Sequence, residues 1–197
     1  MTRISKLDPA QWDPELRAMT RPESATPLEQ GLMRIFAHTP RLAKGLAMFG
    51  GALKLGRTLP DRLVEIVRLR VAFHNQCRSC MAIRYADAVN AGVDEDLVCS
   101  LERSAEAPDL TAAEKSALAY ADKFATNHLA ITDATYADLK QYFTEPEVVE
   151  LGMTVAFFVG FGRLAATLDM TEELPERFQD HAIPTIAPWG EASIVVR

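Results

Sequence analysis

Residues 61–92 read DRLVEIVRLRVAFHNQCRSCMAIRYADAVNAG, and this stretch decides the fold. Apolar residues recur at helical spacing before the two cysteines, and a second helical pattern runs from Met81 to Gly92, where a glycine suits a helix end. The sequence therefore predicts two helices joined by a turn. That turn holds Cys77-Arg78-Ser79-Cys80, so the CxxC stands at the N-terminus of the second helix.

The CxxC indicates redox chemistry. Two cysteines at this spacing can close a small disulfide ring, and a helix N-terminus favours the thiolate form. The chain has three cysteines among 197 residues, which does not suit a disulfide framework. We therefore expect a cytoplasmic, reducing location, where a CxxC is more often redox-active or metal-binding than structural.

Two other interpretations of the cysteine pair are open at this point. The two residues could simply fill a core, or they could bind zinc, which needs two further nitrogen or sulfur ligands. The remaining candidates for such ligands are Cys99, His38, His74, His128 and His181. They form no second closely spaced pair, so no metal is predicted. Cys99 lies in an apolar helical stretch and is predicted to be buried and inert.

The bulk composition predicts one ordinary globular domain, because 48% of the residues are hydrophobic and 24% are charged. The net charge of -6 argues against nucleic acid, whose phosphates require a surplus of Lys and Arg. The first six residues are followed by no apolar segment of the kind found in a signal peptide. The longest nearly uncharged run, 151–162, is too short for a membrane span and is expected to be a core helix.

The chain divides into three predicted parts. Residues 1–27 hold four of the eleven prolines and predict an irregular arm with at most a short helix near 13–19. Residues 28–170 form the domain, which is helical throughout, and one of its predicted helices covers 27–37. Residues 171–197 predict an extended arm that packs on a neighbour or frays. No strand alternation precedes that tail, so the fold class is all-α.

Three groups of residues carry a resemblance to a known family. Glu65 precedes Cys77 and Cys80 by twelve and fifteen positions, and the stretches LTAAEKSALAYADKFA and DATYADLKQYFTEPEVVELGMTVAFFVGFGRLA follow at 110–125 and 133–165. Over roughly 30–170 the chain resembles the carboxymuconolactone decarboxylase superfamily, in particular its AhpD-like alkylhydroperoxidase branch. The resemblance implies an all-helical fold that assembles as dimers, trimers or hexamers.

The resemblance also implies an activity. By position, Cys80 is the peroxidatic cysteine, which attacks a hydroperoxide and becomes a sulfenic acid. Cys77 then resolves it as a disulfide that an external dithiol reduces. Glu65 matches the proton-relay carboxylate of the family, although it could equally pair with Arg62, Arg68 or Arg70 on its own helix. No metal, haem or flavin is implied, because the dithiol carries the electrons.

The chain departs from the AhpD-like pattern at two histidine positions. Ser79 stands before the second cysteine and could donate a hydrogen bond near the sulfur, and Arg84 stands four residues after it. In a helix, Arg84 would share a face with Cys80 and lower the thiol pKa, or it would pair with Asp87. His74, three residues before Cys77, is a candidate replacement for the relay histidine or an ordinary surface or capping residue.

Two alternative functions remain. The chain could be a decarboxylase or lactone-acting enzyme on the same fold, which would use acid/base groups and an anion site rather than thiols. It could also be a non-catalytic helical oligomer. Arg163, near the end of an apolar helix, needs a partner, either a carboxylate at a subunit interface or an anionic substrate.

Overall fold

The computed structural model describes residues 2–190 and 193–197, and this part of the chain forms twelve α-helices and two short strands. Several short 3-10 turns connect them. The elements are α1 Pro14–Thr20, α2 Pro27–Gln30, α3 Met33–Phe36, α4 Pro40–Leu55, α5 Asp61–His74, α6 Arg78–Ala82, β1 Ile83–Tyr85, α7 Ala86–Asn90, α8 Glu95–Ser100, α9 Ala112–Thr126, α10 Asp133–Leu139, α11 Glu145–Leu168, α12 Glu176–Gln179 and β2 Ile194–Val196. The all-α prediction is confirmed.

The core is built around α5, which packs against both α9 and α11. Its residues Ile66, Val67 and Leu69 are fully buried, as is Leu118 of α9. Burying side chains of this size contributes about 1.5–3 kcal/mol each. Because α5 runs through the centre, its C-terminal end presents the CxxC turn from a rigid support.

Helix α11 is the most apolar helix of the structure. By length and composition it is the one helix in the described residues that could cross a membrane, and 39% of its most apolar stretch is buried. The same helix packs on α5, α6 and α9. Those contacts are the ones expected of the core helix that the sequence predicts, and the apolar run 151–162 forms the middle of that helix.

Two predicted helices are interrupted. The predicted helix 27–37 is split into α2 and α3 because Gly31 has a φ of 49°, a left-handed conformation that ends α2. The predicted helix 81–92 is also wrong in its first half. Strand β1 separates α6 from α7 and pairs in parallel with β2, with Ile83 opposite Ile194.

Both terminal parts pack on the domain. In the N-terminal arm, the carboxylate of Asp13 caps α1, and Leu16 is fully buried in a cluster with Ala43 of α4. The expectation of an extended C-terminal arm that frays or packs on a neighbour is wrong. Phe178 is fully buried in a cluster with Met81 of α6, and β2 pairs with β1 of the same chain.

Candidate redox site

The CxxC lies in a tight turn between α5 and α6. Gln76 adopts a left-handed conformation with a φ of 49°, which costs a non-glycine residue about 1–2 kcal/mol. This conformation reverses the chain so that Cys77 becomes the N-cap of α6. Cys77 and Cys80 form a disulfide, with the Cα atoms 5.2 Å apart. The predicted position of the CxxC at a helix N-terminus is thus confirmed.

The two sulfur atoms have different surroundings. Cys77 is fully buried, and its Sγ accepts the backbone N–H of Cys80 at 3.4 Å. Ser79 Oγ lies 3.6 Å from the same sulfur, so the predicted contact of Ser79 is with Cys77. Cys80 is only partly buried and lines a cavity. An external reagent therefore meets Cys80 before it meets Cys77.

The cavity beside Cys80 has a volume of about 770 Å³. Its walls come largely from α3, α4 and α11 and from the segment that precedes α2. Aromatic and aliphatic side chains form much of the surface, including Phe36, Phe157 and Phe161. Ligand sites in proteins have volumes of about 300–1,000 Å³, so this cavity can hold an organic molecule of appreciable size.

A buried ion pair lies against the CxxC. Glu65 and Arg68 form two hydrogen bonds of 2.7 Å, and they are 2% and 5% exposed. Arg68 also donates to the backbone oxygen of Cys80 at 2.5 Å and to that of Ile83 at 2.9 Å. Burial acts to lower the pKa of Arg68, but the Glu65 carboxylate outweighs it and the pKa is raised. The guanidinium therefore stays charged next to Cys80.

A second, smaller cavity of about 250 Å³ also reaches this ion pair. Glu65 lines the small cavity, and Arg68 and Tyr85 line both cavities. The ring of Tyr85 lies 5.0 Å from the Arg68 guanidinium, and burial raises the pKa of its hydroxyl. Glu65 thus lies in a small recess that shares Arg68 and Tyr85 with the cavity that contains Cys80.

Arg84 does not occupy the predicted position. Residues 83–85 are a strand, so the helical spacing that would place Arg84 on the face of Cys80 is absent. Its buried guanidinium donates to the backbone oxygens of Met81 and Pro188 and pairs with Glu95 rather than Asp87. Burial lowers the pKa of Arg84 in spite of that carboxylate. Arg84 therefore holds strand β1 against the part of the chain around Pro188.

His74 binds a carboxylate on α9. Its Nε2 lies 2.6 Å from Asp122 Oδ1, and Arg70 pairs with the same carboxylate. Burial acts to raise the pKa of Asp122, but the hydrogen bonds from His74 and Arg70 outweigh it and the pKa is lowered. The contacts described for His74 therefore tie α5 to α9 and give it no position at the CxxC.

One further sequence prediction is wrong. Cys99 is exposed rather than buried, because the short helix α8 turns Leu97 and Val98 into the core and leaves Cys99 outside. Arg163 is exposed and, within the chain, donates to Asn75 Oδ1 and to the backbone oxygen of Ala125. A carboxylate of another subunit or an anionic substrate as its partner stays a prediction. Among the described residues, no group of three or more His, Cys, Asp or Glu side chains could hold a metal ion.

Sequence reasoning gave Arg68 no role at the cysteines. It treated Arg68 only as one of three arginines that could pair with Glu65. A signal was present, because Glu65 and Arg68 are three residues apart within a helix whose other positions there are apolar, and such a pair must be buried together.

Comparison with known proteins agrees with this architecture. The model of the carboxymuconolactone decarboxylase family matches residues 40–123, which include α4, α5, the CxxC and most of α9. Two curated proteins, both uncharacterized and from Mycobacterium tuberculosis strains, are 36% identical over 110 residues. The match covers 53% of this chain and 38% of each relative, so this chain matches well under half of the relatives' length.

Two crystal structures share the fold. One is the alkylhydroperoxidase AhpD core of an uncharacterized peroxidase-related protein from Ralstonia eutropha JMP134, with a TM-score of 0.70 and 19% identity, covering 90% of this chain and 94% of that one. The other, an uncharacterized peroxidase-related protein from Silicibacter sp. TM1040, has a TM-score of 0.67 and 19% identity over 91% and 97%. Residues 40–123 therefore carry the sequence pattern of the carboxymuconolactone decarboxylase family, on an all-α AhpD-like fold.

Proposed function

We propose that this protein is a thiol-dependent peroxidase or disulfide oxidoreductase in which Cys80 is the nucleophile and Cys77 the resolving cysteine. The observation that carries the proposal is the Cys77–Cys80 disulfide, with Cys80 on the wall of a large cavity and Cys77 sealed beneath it. The fold shared with peroxidase-related proteins supports the same chemistry.

In the oxidative half of the reaction, the Cys80 thiolate attacks the terminal oxygen of a hydroperoxide. The O–O bond breaks, an alcohol leaves after protonation, and Cys80 becomes a sulfenic acid. The Cys77 thiolate then attacks that sulfur, so that a disulfide forms and water leaves. Glu65 serves as the acid/base group, and Arg68, which bonds to the backbone of Cys80, stabilises the thiolate by its charge.

In the reductive half, one thiolate of an external dithiol attacks the accessible sulfur of Cys80. The S–S bond breaks and Cys77 leaves as a thiolate, which the N–H of Cys80 and the hydroxyl of Ser79 stabilise. The second thiol of the reductant then attacks the mixed disulfide and releases Cys80. The electrons come from this dithiol, so the cycle needs no metal or other cofactor.

The cavity favours an organic hydroperoxide over hydrogen peroxide. Hydrogen peroxide is small and polar, so it buries little apolar surface in a cavity of about 770 Å³. The organic group of a larger hydroperoxide buries apolar surface against Phe157 and Phe161. We expect a lower KM for cumene hydroperoxide than for hydrogen peroxide. Phe161→Ala, which removes one wall, is expected to raise the KM for cumene hydroperoxide alone.

A homo-oligomer, either a dimer, trimer or hexamer, is part of the proposal. Large apolar side chains remain exposed on α4 and α11, among them Met48 at 67%, Leu55 at 87% and Val149 at 61%. Such a surface is typical of a subunit contact. Light scattering after size exclusion tests it, and a monomer at micromolar concentration would contradict it. The cytoplasmic location also stays a prediction.

The test of the activity is thiol chemistry on the reduced protein. One equivalent of hydroperoxide is added, and free thiols and disulfide are quantified by mass for wild type, Cys77→Ser and Cys80→Ser. We expect wild type to form the Cys77–Cys80 disulfide and Cys77→Ser to stop at a sulfenic acid that a dimedone probe traps. Sluggish thiols that form no disulfide would refute the proposal.

A lactone-acting enzyme is the second candidate. The observation in its favour is the small cavity, where the carboxylate of Glu65 meets the cations of Lys54, Arg57 and Arg68. Cys80→Ser separates the two candidates, because it abolishes a thiol peroxidase and leaves lactone chemistry intact.

A further inference from the structure

The C-terminal segment, here residues 174–190, contacts the turn that carries the CxxC. Gln76, directly before Cys77, forms a pair of hydrogen bonds with the backbone of Ile186. Its Nε2 donates to the Ile186 oxygen at 3.2 Å, and its Oε1 accepts the Ile186 N–H at 3.0 Å. Gln76, the strained residue of the turn, is thus held in place by Ile186, which lies 110 residues further along the chain and outside residues 40–123.

Arg78, the first residue between the two cysteines, is bound by the same segment. Its guanidinium donates to the backbone oxygens of Phe178 at 3.3 Å, Asp180 at 3.1 Å and Ile183 at 2.6 Å. Hydrogen bonds from a charged donor are roughly twice as strong as neutral ones. Three of them on one side chain fix the segment against the first turn of α6.

Apolar packing adds to this contact between the C-terminal segment and the CxxC turn. Phe178 is fully buried together with Met81 and Ala82 of α6, and Ile186 belongs to the same cluster, against which Cys80 packs. Because these residues flank the CxxC in space, the turn cannot move without disturbing the segment. Cys77 is fully buried in this arrangement.

We propose that the C-terminal segment is a working part of the redox site. It clamps the CxxC turn through the positioning residues Arg78 and Gln76, so that Cys77 stays sealed and external thiols and peroxides react at Cys80 alone. This inference rests on the proposed function for its purpose. Attack of the dithiol at Cys77 would make Cys80 the leaving group, and reaction of a peroxide with an accessible Cys77 thiolate would allow Cys77 to be overoxidised. The protection of Cys77 itself can be measured without any peroxide.

The test compares Arg78→Ala, Gln76→Ala and Arg78→Lys with wild type and with Arg103→Ala, a control at an exposed arginine. Each full-length protein is reduced and pulsed with iodoacetamide, and mass spectrometry of peptides reports the labelling rate of each cysteine. In wild type, Cys80 is labelled first. We expect Arg78→Ala and Gln76→Ala to speed the labelling of Cys77 by about tenfold or more, because labelling follows the opening of the turn.

Arg78→Lys keeps a cation near the carbonyl oxygens and is expected to restore part of the protection, whereas Arg103→Ala changes nothing. The disulfide equilibrium with a reference dithiol is a second readout. Loss of the clamp is expected to reduce disulfide formation about tenfold, which corresponds to about 30 mV. A merely structural role would lower thermal stability and leave both the labelling ratio and this equilibrium unchanged.

Unchanged labelling of Cys77 in both Arg78→Ala and Gln76→Ala would overturn the inference. If Arg78→Ala does not fold, Gln76→Ala decides alone, because alanine keeps a Cβ at the left-handed position and adds no backbone strain. A wild type that ignores hydroperoxide yet protects Cys77 would remove the peroxidase proposal and support the clamp. The two failures are therefore distinguishable.

Discussion

Replacing Glu65 by glutamine tests the role of the buried ion pair between Glu65 and Arg68. Glu65→Gln keeps the size of the side chain but leaves the charge of Arg68 buried without its counter-ion. The pair is nearly inaccessible, at 2% and 5% exposure, so solvent screens it little. Removing one partner of such a pair costs about 3–5 kcal/mol. For a chain of this size, 1 kcal/mol corresponds to about 2–4 °C, so we expect the melting temperature to fall by about 10 °C.

The assay follows circular dichroism of the oxidised protein during heating, which gives the melting temperature, and during urea denaturation, which gives the free energy of unfolding, with two controls. Glu145→Gln removes an exposed partner of Lys140 and is expected to leave the free energy of unfolding nearly unchanged, because solvent screens this pair. The double variant Glu65→Gln/Arg68→Met removes both charges and is expected to recover much of the loss.

Thiol reactivity of the reduced Glu65→Gln protein gives the second readout. An uncompensated Arg68 next to Cys80 favours the thiolate, so alkylation of Cys80 at neutral pH is expected to be faster than in wild type. A Glu65→Gln protein as stable as the Glu145→Gln control, with unchanged Cys80 alkylation, would refute the role given to this ion pair.

Two further predictions concern stability. A Cβ on Gly162 would come 2.5 Å from Asn75 Nδ2, so Gly162→Ala must displace that amide and is expected to cost about 1–3 kcal/mol in urea denaturation. Gly160→Ala meets open space and is expected to stabilise α11 by up to about 1 kcal/mol, and equal effects at both sites would contradict the packing. Burial acts to raise the pKa of Glu172, but Lys6 leads the contacts that lower it to about 2. The ionised Glu172 carboxylate therefore contributes fully to the free energy of unfolding above pH 4.5, and this stabilisation is lost as the pH falls toward 2. In an acid titration of stability, Glu172→Gln is expected to lose the pH dependence in this range.

Helical periodicity was sufficient to predict the architecture, because each long helix buries a stripe that the local sequence encodes. The break in the predicted helix after Ala82 was not predictable in this way. It depends on pairing between Ile83 and Ile194, which are more than 100 residues apart and which local patterns do not connect. The same long-range pairing explains why Arg84 was misplaced, since a strand puts it among backbone oxygens that a helix would not present.

For the candidate site, the CxxC spacing indicated the cysteines and the family resemblance indicated Glu65, but neither predicted the relative exposure of the two sulfur atoms. Cys77 is fully buried and Cys80 is partly buried, and this difference follows from tertiary packing that sequence spacing does not show. Cys99 is exposed although the sequence predicts it to be buried, and the reason is local. An apolar stretch predicts burial for all of its residues, but the six-residue helix α8 has one inward face, and Leu97 and Val98 occupy it.

The absence of the relay histidines changes how charge must be balanced around Cys80 in the proposed reaction. Before proton transfer, the group consists of a neutral thiol, the Glu65 carboxylate and the Arg68 cation. After the proton moves to Glu65, it consists of the Cys80 thiolate, a neutral carboxyl and the same cation. The net charge is zero in both states, so no uncompensated charge is created in a region where an isolated one is costly. A buried arginine paired with a carboxylate can therefore do what Ser79 and Arg84 cannot, since neither is a base and Arg84 is engaged elsewhere.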